Sequence, residues 1–193
     1  MAIDLYRGFA NRVTGETFRC ISYDRTSFRF DWLVKPGGYV PFEHVHLHQK
    51  ESFFVKEGEL RILVEGKEHV VGEGQTISVP KGKRHIAYNN RPSPLHCVVE
   101  YSPGLDTYQF FQCFAGLTID GDITKNGTVN IPKMLYFTRH MKAKCIARPT
   151  NIPAPLFQLA LNFFFITGKI LGWRKHFEKY TRKGKTVRSE LIA

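Results

Sequence analysis

Gly38-Tyr39-Val40-Pro41-Phe42-Glu43-His44-Val45-His46-Leu47-His48-Gln49-Lys50-Glu51 opens the stretch on which the reading of this chain turns. Gly58, Gly74, Pro80-Lys81-Gly82, His85 and Asn89 continue it. Side chains on a strand alternate faces with period 2, so His44 and His46 share a face. Glu51 follows a short turn at Leu47–Lys50 and returns on the neighbouring strand. His85 arrives from far along the chain, which distinguishes a folded cage from a flexible chelate. Three imidazoles and one carboxylate suit a first-row divalent metal, and no cysteine joins them, so a tetrahedral thiolate zinc site is not suggested.

Gly58, Gly66 and the Pro80/Gly82 pair fit tight corners between these residues. The pattern Gly-x5-His-x-His-x4-Glu-x6-Gly, then Gly-x5-Pro-x-Gly-x2-His-x3-Asn, resembles both motifs of the cupin superfamily without a departure. The resemblance implies a double-sheet jelly-roll barrel, placed at residues 14–104. Residues 105–193 form a helical extension rather than an independent domain. Carried over position by position, the family's metal ligands fall on His44, His46, Glu51 and His85. The ion expected is one divalent transition metal, Fe or Mn in preference to Zn, Ni or Cu. No His-x-His occurs outside this stretch, so the chain is not a bicupin.

Outward from that stretch, residues 1–16 read as irregular, and Thr17–Asp24 and Ser27–Val34 as strands. In the second strand Phe28, Phe30, Trp32 and Val34 share one face, with Arg29 and Asp31 on the other. Val40 and Phe42 share the parity of His44 and His46; Phe53 and Val55 share that of Glu51. Strands at Leu60–Val64, Glu68–Val71, Gln75–Val79, Arg84–Asn89 and Leu95–Tyr101 complete the barrel. Phe42, Phe53, Phe30 and Trp32 are candidates for an apolar pocket around the metal. The competing and favoured reading is that they only fill the barrel, as large apolar side chains must. His48 has the wrong parity for a ligand and is expected in an exposed turn.

After Pro103-Gly104 the periodicity becomes helical. Asp106 can cap a helix carrying Phe110, Phe111, Phe114 and Leu117. Pro132 suits the first turn of a second helix reaching Lys144. Arg148–Pro155 reads as a Pro-rich linker. From Leu156 to Tyr180 a third helix is expected, apolar nearly all round through Phe157, Leu159, Leu161, Phe163, Phe164, Phe165, Ile166, Ile170 and Leu171. Such a helix must be covered. Burial on the barrel or on a second copy is the favoured reading. A place in a membrane interface, with the basic residues against anionic lipid, is the second. A span is the third, but Gln158, Asn162 and Lys169 interrupt the run it needs. This layout is also similar to a bacterial group of single-domain cupins whose helical extension ends in Gly-aromatic-basic residues, here Gly172-Trp173-Arg174. That similarity brings no assigned reaction.

The charge of +11 is concentrated: residues 169–188 hold eight Lys/Arg against Glu178, a net of +7, which leaves +4 for the rest. Peripheral membrane contact through residues 156–188 is the second-ranked expectation, after burial of the helix on the barrel or a second copy. The tail has Trp173, Phe177 and Tyr180 but no nucleic-acid module, so no nucleic-acid partner is expected. Cys20, Cys97, Cys113 and Cys145 form no Cys-x-x-Cys pair and no disulfide framework, and the N-terminus carries no signal peptide; a reducing, cytoplasmic compartment follows. Cupins commonly pair through their sheets, so the resemblance implies a homodimer, with Phe54 pointing outward.

The ligand set leaves positions open on a six-coordinate ion. Cupins with this set include dioxygenases, decarboxylases, sugar isomerases and proteins that only bind ligands. The ligand-parity positions Phe42, Phe53, Val55, Ala87 and Asn89 carry no Arg or Lys. An apolar cavity favours a dioxygenase-type oxidoreductase acting on a small apolar or aromatic molecule. A non-catalytic metal-dependent binder and a cupin isomerase are the alternatives.

Overall fold

The computed structural model of the chain describes residues 2–145 and 147–181. Among these residues are eleven strands, the longer ones built on alternating apolar positions: β1 (Phe9–Asn11), β2 (Glu16–Tyr23), β3 (Phe28–Val34), β4 (His44–His46), β5 (Lys50–Glu57), β6 (Leu60–Val64), β7 (Lys67–Val71), β8 (Thr76–Val79), β9 (Arg84–Tyr88), β10 (Leu95–Ser102) and β11 (Ala147–Pro149). They form a six-stranded sheet in the order β1-β2-β3-β10-β5-β8 and a five-stranded sheet in the order β11-β4-β9-β6-β7. Every pairing is antiparallel. The two sheets face each other as a jelly roll. Phe28, Phe30 and Trp32 of β3, Phe53 and Val55 of β5, Ile62 of β6, Ala87 of β9 and Val99 of β10 fill the space between them, all buried.

Four helices follow or bridge the barrel: α1 (Thr107–Ile119), α2 (Ile131–Met141), α3 (Ala154–Ile170) and α4 (Arg174–Thr181). Phe111 and Ala115 of α1 join the core of the barrel, so α1 closes its open end. Asn130 caps α2, its side chain accepting from the Lys133 amide at 3.1 Å, with Pro132 in the first turn. Asp106 stands at the start of α1 but does not cap it with its side chain. Its carboxylate instead accepts from the amides of Lys144 and Cys145, pinning the chain after α2 to the start of α1.

Several expectations change. Residues 1–16 are not irregular throughout: Leu5–Arg7 form a 3-10 turn and β1 pairs with β2. Asp31 lies on the outer face of β3 as expected, yet it is buried, because Arg19 and His96 cover it at 2.6 Å and 2.8 Å. Val40 and Phe42 precede β4 instead of extending it, although the Val40 amide still donates to Ala87 O at 3.1 Å. The Pro-rich linker is partly a strand, since β11 pairs with β4. The helical extension thus returns a strand to the edge of the barrel.

The single helix expected over 156–180 is two helices. Gly172 takes φ +69, a left-handed conformation that glycine adopts without a Cβ penalty, and α4 leaves α3 at 93°. α4 then packs on α1, where the Tyr180 ring lies so close to Gly116 that a Cβ there has no room. α3 packs on α2 and is covered on one side only: Phe157, Leu161 and Gly168 are buried, whereas Leu156, Leu159, Phe163, Ile166 and Ile170 are exposed. Among the described residues no single helix is long and apolar enough to cross a membrane. Arg182, Lys183, Lys185 and Arg188 of the basic stretch lie outside the described residues.

Candidate metal centre

The strand alternation that fills the barrel also aims four polar side chains into it. β4 and β9 are neighbours in the five-stranded sheet, with His44 in register with His85. β5 belongs to the opposite sheet, so Glu51 approaches across the gap. His44, His46, Glu51 and His85 are all buried, and one ligand atom from each lies within 4.8 Å of the others. Glu51 Oε2 is 2.7 Å from His85 Nε2 and 3.2 Å from His46 Nε2.

Local contacts orient the rings. His44 Nδ1 donates to Phe42 O and His85 Nδ1 donates to Lys83 O, each at 3.1 Å and each to the residue two before it. A backbone acceptor at Nδ1 leaves Nε2 as the coordinating atom, the second contact that metal-ligating imidazoles ordinarily make. The buried His46 ring has no hydrogen-bond partner at either nitrogen; its approach to Glu51 is not aligned as a hydrogen bond. Buried polar atoms are seldom left without a partner. An ion shared by the four side chains would supply a partner at one of the two His46 nitrogens.

The electrostatics fit the same occupant. Burial, then the adjacent imidazoles of His46 and His85, push His44 down to about 3, so its ring is neutral at physiological pH. Burial alone would raise Glu51, but His46 and His85 beside it outweigh burial and hold its carboxyl well below its ordinary value. Burial pulls His85 down, and the Glu51 carboxylate more than reverses this, so His85 lies above its ordinary value. Three imidazoles and a charged carboxylate suit a divalent first-row ion.

A family model described as the cupin domain matches residues 30–101. The chain carries a cupin domain. Its solved-structure neighbours include an uncharacterized conserved protein with a double-stranded beta-helix domain from Klebsiella pneumoniae subsp. pneumoniae (24% identity, covering 46% of this chain and 77% of that one, TM-score 0.43). They also include an RmlC-like cupin from Shewanella frigidimarina (20%, 49% and 82%, 0.45) and a sugar phosphate isomerase of the cupin superfamily from Silicibacter pomeroyi (22%, 51% and 67%, 0.43). Likeness at this level carries no argument about activity. No curated protein matches the chain.

Beyond the ligands, the cupin barrel encloses a cavity of about 180 Å³ that runs from the four side chains toward the helices. Phe42, Phe53, Phe30 and Trp32 all line it, as do Phe110 and Phe111 of α1 and Phe157 of α3. Phe28 does not line it and packs in the core. His48 is exposed, on the turn.

Three polar residues of the cupin site escape a reading by motif. Tyr101 is the register partner of Glu51 on β10, with its ring 5.0 Å from that of His46. Burial, reinforced by Glu51, drives its phenol far above the ordinary value, so it keeps its proton. Gln49, in the turn before β5, is buried and donates to Pro103 O at 2.7 Å and Thr107 Oγ1 at 2.8 Å, tying the ligand-bearing turn to α1. Glu16 lines the far wall of the cavity, bound to Thr14 Oγ1 at 2.7 Å and Trp32 Nε1 at 3.0 Å. Burial raises its carboxyl to about 7. Parity could have flagged Tyr101, since Cys97, Val99 and Tyr101 alternate inward on β10. No pattern in the sequence marks Glu16.

Proposed function

We propose that the chain is a metal-dependent oxidoreductase of dioxygenase type, acting on a small apolar or aromatic molecule, with the ion held by His44, His46, Glu51 and His85. One observation supports this most: the cavity beside the ligands is lined mostly by aromatic and aliphatic side chains, and neither lysine nor arginine is among its lining residues. The phosphate of a phosphorylated sugar is ordinarily met by Arg or Lys, and this lining offers neither, which weighs against the isomerase reading. Iron or manganese suits the donor set, and a redox-active ion bound there supplies Lewis acidity and a one-electron couple.

The chain's own residues do the rest. Phe42, Phe53 and Trp32 bind an apolar body and keep water out. The protonated Tyr101 Oη offers a hydrogen bond beside Glu51. Glu16, close to half-ionised near neutrality, offers a polar contact at the end away from the ligands. Four buried and unpaired cysteines support a reducing, cytoplasmic setting.

The test is oxygen consumption by the Fe- or Mn-loaded protein across a panel of phenolic and enediol compounds. Metal-dependent oxygen uptake that His85→Ala abolishes is expected. An absence of metal-dependent turnover across the panel would transfer the assignment to the non-catalytic binder.

A further inference from the structure

We infer that α3, with the start of α4, is a docking face for an anionic lipid surface. α3 presents two unlike sides. Phe157, Leu161 and Gly168 turn toward α2 and are buried. On the opposite side Leu156, Leu159, Phe163, Ile166 and Ile170 recur at steps of three and four residues, which places them in one stripe. They are 55%, 63%, 59%, 61% and 80% exposed. The outward side of a surface helix is ordinarily polar, and no polar residue interrupts this stripe.

The charges around the stripe select its occupant. α3 contains no acidic residue, and its single basic one, Lys169, stands near its C-terminal end with the ammonium 4.4 Å from the Phe165 ring. Past the 93° bend, α4 carries Arg174, Lys175 and Lys179 against Glu178. Arg174 pairs with Glu178 at 2.7 Å and Lys179 with Asp120 at 2.7 Å, so Lys169 and Lys175 are the Lys/Arg of α3 and α4 left to meet an outside anion. Residues 182–193 add four Lys/Arg against Glu190. From residue 154 onward the sequence holds eight Lys/Arg against two acids. An apolar stripe flanked by cations, on a helix too short and too interrupted to span, is the pattern of a helix lying in the interfacial plane. A second copy would suit the stripe's spacing. In a side-by-side pairing with parallel helices, however, it would bring two basic ends together without acids to compensate.

The face is also joined to the cavity, since Phe157 on the covered side of α3 lines it. A helix seated in the headgroup layer puts one wall of the cavity beside the bilayer, where apolar molecules are concentrated. The docking itself requires neither metal nor turnover.

Co-sedimentation of the full chain with phosphatidylcholine vesicles, with and without phosphatidylserine, tests the proposal. The parent protein is expected to pellet with the anionic vesicles and remain in the supernatant with the neutral ones, with binding weakened by salt. Phe163→Gln with Ile166→Gln changes only exposed positions and is expected to abolish pelleting while leaving the circular dichroism and the melting transition unchanged. Lys169→Gln with Lys175→Gln is expected to weaken binding to anionic vesicles by about thirtyfold, each cation near the surface adding about 1 kcal/mol. Pelleting of the stripe double variant at parental strength would overturn the proposal, as would a parent that stays in solution with anionic vesicles. A stripe variant that converts a parental dimer into monomers, with no vesicle binding by either, would assign the face to a second copy and refute the lipid reading.

Discussion

Glu51 Oε2 lies 2.7 Å from His85 Nε2 although the two residues sit on opposite sheets. The contact exists only when the barrel is closed, so the ligand set is assembled by the fold rather than by the local His-x-His pair. A bound ion therefore reports on, and adds to, the closure of the barrel.

Metal occupancy follows directly. Elemental analysis of the purified protein is expected to give close to one transition metal ion per chain. His85→Ala removes the only ligand that β9 brings to the cluster. It should weaken binding by more than the roughly 10–100-fold that loss of a ligand's supporting contact costs. Full occupancy in that variant would remove His85 from the site.

Metal binding should also release protons. His44 is neutral near pH 7 because burial pushes it to about 3, and Glu51 is charged, so neither must lose a proton on binding. His85 is held above its ordinary value by Glu51, so its proton leaves when the ion enters. Affinity should rise with pH while His85 remains protonated, because the ion must displace its proton. Calorimetry in buffers of different ionisation enthalpy measures that proton. Metal uptake without proton release would contradict this account of His85.

How much of this was legible beforehand depended on period and chemistry. Phe28, Phe30 and Trp32 announce an inward face because a strand alternates, and His44, His46 and Glu51 obey the same rule on β4 and β5. Ala147–Pro149 carries no such signal: three residues are too few for a period, and a proline demotes a strand on sight. Its pairing with His44–His46 is decided by tertiary closure. The break at Gly172 was hidden because a glycine inside an apolar run is read as tolerated, while its positive φ is a fact of packing. Glu16 was invisible for a different reason. Nothing in Thr14-Gly15-Glu16 foretells that Trp32 will carry its indole N–H across from the next strand.

Glu16 gives a stability prediction with a definite sign. Its folded pKa of about 7 exceeds the ordinary 4.5. The stability it contributes is therefore complete below about 4.5 and is lost as pH rises through about 7. The loss is on the order of 3 kcal/mol at higher pH. Glu16→Gln keeps an acceptor for Trp32 and a donor for Thr14, so it should flatten this dependence. Urea denaturation of both proteins at pH 5 and pH 8 decides the matter; parallel curves would mean that Glu16 does not titrate in this window.

Association through the outer face of the six-stranded sheet is the expectation attached to Phe54. Phe54 is 40% exposed and Leu33, outward on β3, is 42% exposed. Light scattering is expected to show a dimer at micromolar concentration. Phe54→Lys with Leu33→Lys should yield a monomer that keeps its metal, because neither residue faces the ligands. A monomeric parent would end this reading of the sheet face.

Phe157 joins α3 to the cavity. Phe157 is buried against Leu135 and Leu161, and its ring also forms part of the cavity wall. Replacing it by alanine removes packing and leaves space that the surrounding helices fill only in part. Phe157→Ala should therefore destabilise the protein by about 3–5 kcal/mol, the usual cost of emptying a buried phenylalanine site. The same change enlarges the space beside the ligands without touching them. Metal content should stay at the parental level, while an apolar probe too bulky for the parent cavity gains access. Thermal melting measures the first effect and binding of a bulky naphthyl fluorophore the second. A variant that loses its metal would show that α3 supports the ligand cluster rather than only walling the cavity. One that melts with the parent would show that Phe157 contributes little to holding α3 on α2.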